Sequence, residues 1–204
     1  DPVDLAEVVT REVDARSAQL RGAGLDVQVE APVPVVVLGD RERLHQVVGN
    51  LLQNCVQHCR PGDAVIVTVR GTGLGPRPGS TAGGPPAGRA ELVIADSGPG
   101  IVPEDLPHVF ERFWRGPGQD ATSGSGLGLS VVHSLVRAQQ GEVAVDSDGR
   151  SGTTVTLRFP RTRVATGIAY FLVTSATRRE PKTVQDFKAW IREEIKETEA
   201  MFGE

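Results

Sequence analysis

Between positions 123 and 129 the chain reads Ser-Gly-Ser-Gly-Leu-Gly-Leu, and the residues that follow fall at once into helical apolar spacing. Glycine at 124, 126 and 128 removes the Cβ atoms that would hold another group away from the backbone. A helix that begins this way presents free N–H groups, with the positive end of the helix dipole behind them. Such a terminus suits an anion, and phosphate in particular. A fold carrying this ribbon must hold it open beside a layered core rather than bury it. The segment is not a P-loop, which needs Gly-Lys-Ser/Thr, nor the dinucleotide pattern, which follows directly on a strand. In isolation it serves equally well as a flexible hinge.

The flanking periodicities define the layers. Asp4 followed by Glu7 forms a helix-entry box, and Leu5, Val8, Val9, Val13 and Leu20 extend it as a helix over residues 1–21. Residues 27–30 and 35–38 read as strands, and Gly39-Asp40 opens a second helix with Leu44, Val47, Val48, Leu51 and Leu52 inward, ended by Pro61-Gly62. Residues 65–69 and 91–95 read as neighbouring strands, joined by a flexible loop over 71–89 that is dominated by glycine and proline. Residues 97–126 show no regular pattern apart from a short helix at 104–110. A helix over 127–139 and two closing strands at 142–147 and 153–159 complete the series. The expected class is α+β: a two-layer sandwich of a mixed β-sheet with helices on one face.

Composition adds bounds. The chain has 204 residues, 39% hydrophobic and 24% charged, with a net charge of −4, as expected for one soluble domain with an appended element. An acidic balance offers no electrostatic footprint for nucleic acid or an anionic membrane. No apolar run is long enough to span a bilayer, and no signal segment opens the sequence. The two cysteines, Cys55 and Cys59, exclude a disulfide framework. They share a helical face with His58, but a structural zinc needs four ligands and no second cluster completes the set.

Two further segments carry chemistry. Asn50 and Asn54 stand four apart on the second helix and project from one face. Their amide oxygens can hold a hard cation, or accept hydrogen bonds, without adding negative charge beside a polyphosphate. Asp96-Ser97-Gly98-Pro99-Gly100 ends an apolar strand, so a carboxylate can accept from an exocyclic amine while the glycines admit a flat ring. Singly, these are an exposed helix pair and an ordinary strand-ending turn.

Their order gives them joint meaning. An asparagine helix, then Asp-x-Gly-x-Gly, then Gly-x-Gly-Leu-Gly-Leu resembles the superfamily of gyrase-type ATPases, Hsp90-type chaperones and histidine kinases. Phe110-Glu111-Arg112-Phe113-Trp114-Arg115 resembles the F box of histidine kinases. The run from Asp40 to Val47 and the Gly152-Thr153-Thr154-Val155 lead-in to the last strand agree. Over residues 1–160 the chain is similar to the ATP-binding catalytic domain of a bacterial two-component sensor histidine kinase, with a Bergerat-type fold.

The resemblance implies ATP and Mg²⁺ as cofactors. Asn54, helped by Asn50, would hold the metal. Asp96 would recognise the adenine amine, with Gly98 and Gly100 shaping that pocket. Ser125, Gly126, Leu127 and Gly128 would meet the phosphates, with His58 and Arg115 as further polar contacts. Residues 97–126 would form the ATP lid, anchored by packing of Phe110 and Phe113.

ATP-hydrolysing members of the superfamily carry a glutamate where this chain has Asn50, an amide that cannot serve as a base. The resemblance therefore implies transfer of the γ-phosphoryl group rather than fast hydrolysis, to a histidine on a separate dimerisation hairpin and thence to a response regulator. None of His45, His58, His108 and His133 stands in a phosphoacceptor context, so the chain should not phosphorylate itself. The alternatives are a catalytically impaired nucleotide-binding or interaction module, or a serine kinase of the anti-sigma-factor type; the F box and the Pro2-Val3-Asp4-Leu5 opening disfavour the latter. A cytoplasmic location is implied, with a parent anchored in the inner membrane and no membrane or nucleic-acid contact by this piece. Residues 161–204 fall outside the resemblance: a strand-like run and a charged amphipathic helix, faintly similar to the end of a LysR-type effector domain.

Overall fold

The computed structural model of the chain describes residues 1–72, 88–116 and 125–161. Most of the Gly/Pro loop, the middle of the expected lid and the tail beyond Arg161 lie outside the described residues.

The chain opens with β1 (Pro2–Asp4), α1 (Leu5–Ala15) and α2 (Ser17–Gly22), followed by β2 (Asp26–Glu30) and β3 (Val36–Leu38). Asp4 caps α1, its Oδ1 accepting from the Ala6 N–H at 3.0 Å and also from the Val35 N–H at 3.0 Å. This second bond draws the β3 approach against the helix entry, where β1 and β3 pair antiparallel, Pro2 opposite Leu38 and Asp4 opposite Val36. The three-residue β1 is too short, and too proline-marked, to show any alternation.

The expected continuous helix over 1–21 is corrected. It divides at Arg16 (φ −101°, ψ 6°) into α1 and α2. The Arg16 guanidinium pairs with Glu12 and lies over Gly49 on the next helix, so a tertiary contact fixes the bend that the apolar spacing did not show.

That next helix is α3 (Arg41–His58), capped by Asp40, which accepts from the Glu42 and Arg43 N–H groups at 3.0 and 3.1 Å. Then follow β4 (Ala64–Thr72), β5 (Arg89–Asp96), a 3-10 turn (Leu106–His108), α4 (Gly128–Ala138), β6 (Glu142–Ser147) and β7 (Thr153–Pro160). Gly71, Thr72 and Arg89, expected in the loop, continue the β4 and β5 ladder, with Thr72 opposite Arg89. The short helix expected at 104–110 shrinks to the 3-10 turn, where Pro107 supplies no N–H for a longer ladder.

The main sheet has the order β2-β4-β5-β7-β6. β2 and β4 are parallel because the α3 crossover lies between them; every other pair is antiparallel. Alternation sends Val65, Val67 and Val69 of β4, Leu92 and Ile94 of β5, and Leu157 and Phe159 of β7 to one buried face. Leu5, Val8 and Val9 of α1, the Leu44-to-Leu52 stripe of α3, and Val132 and Val136 of α4 join them in a single core. The opposite face is polar, with Glu91 bridging Arg70 at 2.7 Å and Arg158 at 3.1 Å. This is the expected mixed sheet with helices on one side. Among the described residues no helix is long and apolar enough to cross a membrane.

Candidate functional site

α3 and α4 pack side by side on the sheet, so the C-terminal half of one faces the N-terminal turn of the other. Leu51, Leu52 and Cys55 turn into the core, which leaves Asn50 and Asn54 on the flank towards α4. The junction is close: a Cβ on Gly128 would stand 2.9 Å from the Asn54 Oδ1. Only glycine lets the first residue of α4 approach the amide without displacing it.

Asp96 ends β5 opposite Val65 on one side and Thr153 on the other. Its Oδ1 accepts from the Gly98 N–H at 2.9 Å and the Thr153 N–H at 3.3 Å. Among the described residues its Oδ2 has no hydrogen-bond partner. Ser97 ties the turn to the start of β4, its Oγ accepting from the Ala64 N–H at 2.9 Å. Glycine is required twice here. Gly100 has φ +75°, and Gly152 has φ +98° with the Asp96 carbonyl oxygen 1.8 Å from where its Cβ would lie.

Before α4, Gly126 takes φ +68° and its carbonyl accepts from the Phe113 N–H at 3.0 Å. Phe113 itself has φ +64° and is 70% exposed, so the expected packing role does not hold for it. Phe110 does pack, its ring centroid 5.0 Å from that of His133 on α4.

These segments surround one cavity of about 900 Å³. Asn50, Asn54 and His58 line it from α3, and Asp96 and Gly100 from the end of β5. Arg115, Ser125, Gly126, Leu127 and Gly128 line it as well, from the segment that leads into α4. Gly98 does not reach the lining; it stands behind Asp96 and holds that carboxylate through its N–H. Protein mass around the His58 ring pushes its pKa below the ordinary histidine value, with the Asp96 carboxylate pulling the other way, although the side chain itself is exposed at the cavity wall.

Sequence reasoning gave no role to Thr153, which both lines the cavity and donates to Asp96. The Gly152-Thr153 pair at the head of β7 was its signal. The apolar wall of Ile94, Ile101, Val109, Leu129 and Val155 was also missed, because such residues look like any other core.

The arrangement divides into two chemical halves. A carboxylate with apolar neighbours at the β5 end can take a flat heterocycle bearing an amine. Two neutral amides beside a helix N-terminus suit a polyanion with a hard cation, since the amide oxygens are hard donors and bring no charge to repel phosphate.

Comparison with known proteins places the chain in a family. Residues 39–163 match the family described as histidine kinase-, DNA gyrase B-, and HSP90-like ATPase. The sensor histidine kinase TrcS of Mycobacterium tuberculosis is 41% identical over 128 residues, 62% of this chain and 23% of TrcS. The sensor-like histidine kinase SenX3 of the same species is 32% identical over 160 residues, 78% of this chain and 36% of SenX3. The chain thus spans about a quarter to a third of the length of these relatives. Among solved structures, a mycobacterial sensor histidine kinase MprB superposes with a TM-score of 0.66 at 31% identity, covering 80% of this chain and 100% of that one. Full-length ShkA in complex with AMPPNP gives a TM-score of 0.63 at 25% identity, covering 82% of this chain and 32% of ShkA. The chain belongs to the family of histidine kinase-, DNA gyrase B- and HSP90-like ATPases, as the catalytic ATP-binding domain of a two-component sensor histidine kinase.

Proposed function

We propose that the cavity binds Mg-ATP and that the chain transfers the γ-phosphoryl group to a histidine on a separate dimerisation hairpin, which then serves a response regulator. The carrying observation is the convergence of Asn54, Asp96 and the 126–128 ribbon on one cavity. Asp96 accepts from the adenine amine, held in place by Gly98 and Thr153. Gly126, Leu127 and Gly128 offer N–H groups and the α4 dipole to the phosphates. Asn54, with Asn50, supplies the oxygens for Mg²⁺, whose chemistry when bound is to neutralise charge on the phosphates.

Phosphoryl transfer asks the protein mainly for positioning and charge neutralisation. Asn50 supports transfer over hydrolysis, because an amide does not take a proton from water. The acceptor imidazole has to come from outside. His45 contacts Glu12, His108 contacts Glu111 and His133 packs on Phe110, so each of these has a structural engagement in the domain. The same reading places the domain on the cytoplasmic side, where ATP and a response regulator are found.

The test is incubation of the full chain with γ-labelled ATP, Mg²⁺ and a histidine-bearing hairpin supplied separately. The expected result is acid-labile label on the hairpin, none on the chain alone, and none with Asn54→Ala. Magnesium-dependent binding without any transfer would replace the kinase reading with that of a nucleotide-binding module.

A further inference from the structure

The inward face of β6 ends on a residue that its pattern does not ask for. Val143 and Val145 pack against the core, and Ser147, the next position on that face, brings a hydroxyl in place of a third apolar side chain. It does not line the cavity, and the kinase reading gives it no part. Its hydroxyl is engaged in both directions. It donates to the Gly152 carbonyl at 2.6 Å and accepts from the Ile101 N–H at 2.8 Å.

Those two partners belong to the two segments that hold Asp96. Ile101 lines the cavity and directly follows the Asp96–Gly100 turn, whose Gly98 N–H donates to Asp96 Oδ1. On the other side, the Gly152 carbonyl and the Thr153 N–H are the two ends of one peptide group. Such a group is planar and trans, so its C=O and N–H point in opposite directions. Ser147 holds the carbonyl end, and the N–H end donates to Asp96 Oδ1 at 3.3 Å. One rigid plane thus connects the serine hydroxyl to the carboxylate, and each bond polarises the next.

Glycine makes this outside support necessary. Gly152 has φ +98°, and a Cβ there would lie 1.8 Å from the Asp96 carbonyl oxygen. A Cβ on Gly100, next to Ile101, would lie 2.8 Å from the Ser147 Oγ and 3.0 Å from the Gly152 oxygen. Close approach thus forces bare backbone on both sides of the hydroxyl, and bare backbone turns easily once released. The hairpin itself stands without Ser147. Asp148 closes its turn by accepting from the Arg150 and Ser151 N–H groups at 2.8 and 2.7 Å, and the β6–β7 ladder runs the length of both strands.

We propose that Ser147 is a positioning residue for nucleobase recognition: it fixes the Gly152–Thr153 peptide and the Ile101 backbone so that Asp96 meets an exocyclic amine. This rests on the reading of Asp96 as the adenine acceptor. Without the hydroxyl, the Ile101 N–H and the Gly152 carbonyl lose their common partner and turn to find others. The Thr153 N–H leaves Asp96 Oδ1 with them, and the carboxylate loses its aim. Contacts to the phosphates are made at the α4 end and do not pass through this plane.

The test measures, on the full chain with Mg²⁺, how well ATP and inosine triphosphate displace a fluorescent ATP analogue. Inosine carries an oxygen where adenine has its amine, so the ratio of the two affinities reads the Asp96 contact alone. The unaltered chain should prefer ATP by about tenfold or more. Ser147→Ala should cut that preference about fivefold, with affinity for inosine triphosphate unchanged. Ser147→Thr keeps the hydroxyl and should keep the preference. An alanine variant that retains the full preference, one that weakens both nucleotides alike, or a loss shared by the threonine variant would each overturn the proposal. Failure of the underlying reading shows separately, in the unaltered chain, as no binding or as equal affinity for the two nucleotides.

Discussion

At the scale of single residues, Asp96 and Asn54 divide the work of the cavity. Asp96 uses Oδ1 to hold two backbone N–H groups and lines the cavity. Asp96→Asn puts an amide beside those two donors and an N–H where an acceptor is needed. ATP-analogue affinity should fall by the value of a hydrogen bond to a charged group, about 1.5–3 kcal/mol, with little change in melting temperature; equilibrium titration beside a thermal melt checks both. His58 gives a pH dependence. Its folded pKa lies below the unfolded value, so the unfolded chain binds the proton more readily. Stability carried by neutral His58 is complete above the unfolded pKa, about 6.5, and is lost as pH falls from there through the folded pKa. Urea midpoints measured from pH 8 down to 5 should drop further for the wild type than for His58→Gln. Asp96 and Asn54 were legible in the sequence because a carboxylate at a strand end and amides at helical spacing declare their geometry. Thr153 was not, because its part is played by a backbone N–H that any residue other than proline has. Phe113 misled for a related reason: aromatic identity suggests packing, whereas the residue sits exposed at a φ of +64°.

At the scale of elements, the junction of α3 with α4 separates binding from stability. Gly128→Ala replaces glycine in the first turn of a helix, a change that favours the helix by roughly 0.5–1 kcal/mol. The added Cβ would also fall 2.9 Å from Asn54 Oδ1 and push that amide from its place. The expected outcome is an unchanged or raised melting temperature with magnesium-dependent affinity lost, read by a melt and a titration on the same sample. Gly152→Ala should behave differently. With φ +98° and the Asp96 carbonyl 1.8 Å from the new Cβ, the β5–β7 crossing has to open. A loss of about 2 kcal/mol or more in chemical denaturation is expected. Periodicity found α1, α3 and α4 because each buries one stripe, and found β4 to β7 because each alternates. It missed β1, whose three residues are defined by their partner Val36–Leu38 and not by any pattern of their own. It ran straight through Arg16 because Leu20 keeps the spacing, while the approach of the Arg16 guanidinium to Gly49 comes from distant sequence.

At the scale of the whole molecule, the sheet is a platform whose buried face packs against α1, α3 and α4, and the last two carry the cavity. Leu92 lies near the centre of this platform, on the middle strand, 1% exposed. Leu92→Ala should cost about 2–5 kcal/mol, and affinity should fall only in step with the folded fraction, which a titration corrected by circular dichroism would show. The architecture was legible because order and spacing together specify the layers, while the cavity's apolar wall was not, since Ile94 and Val155 serve core and cavity alike. The central claim is that the α3 amides, the Asp96 turn and the glycine ribbon enclose a single triphosphate. Titration of isotopically labelled chain with a non-hydrolysable ATP analogue and Mg²⁺, following backbone amide resonances, tests it most directly. Signals from Asn54, Asp96 and Gly128 should move together and saturate with one dissociation constant. If one of the three stays still, or follows a separate constant, they do not share a ligand and the account is wrong.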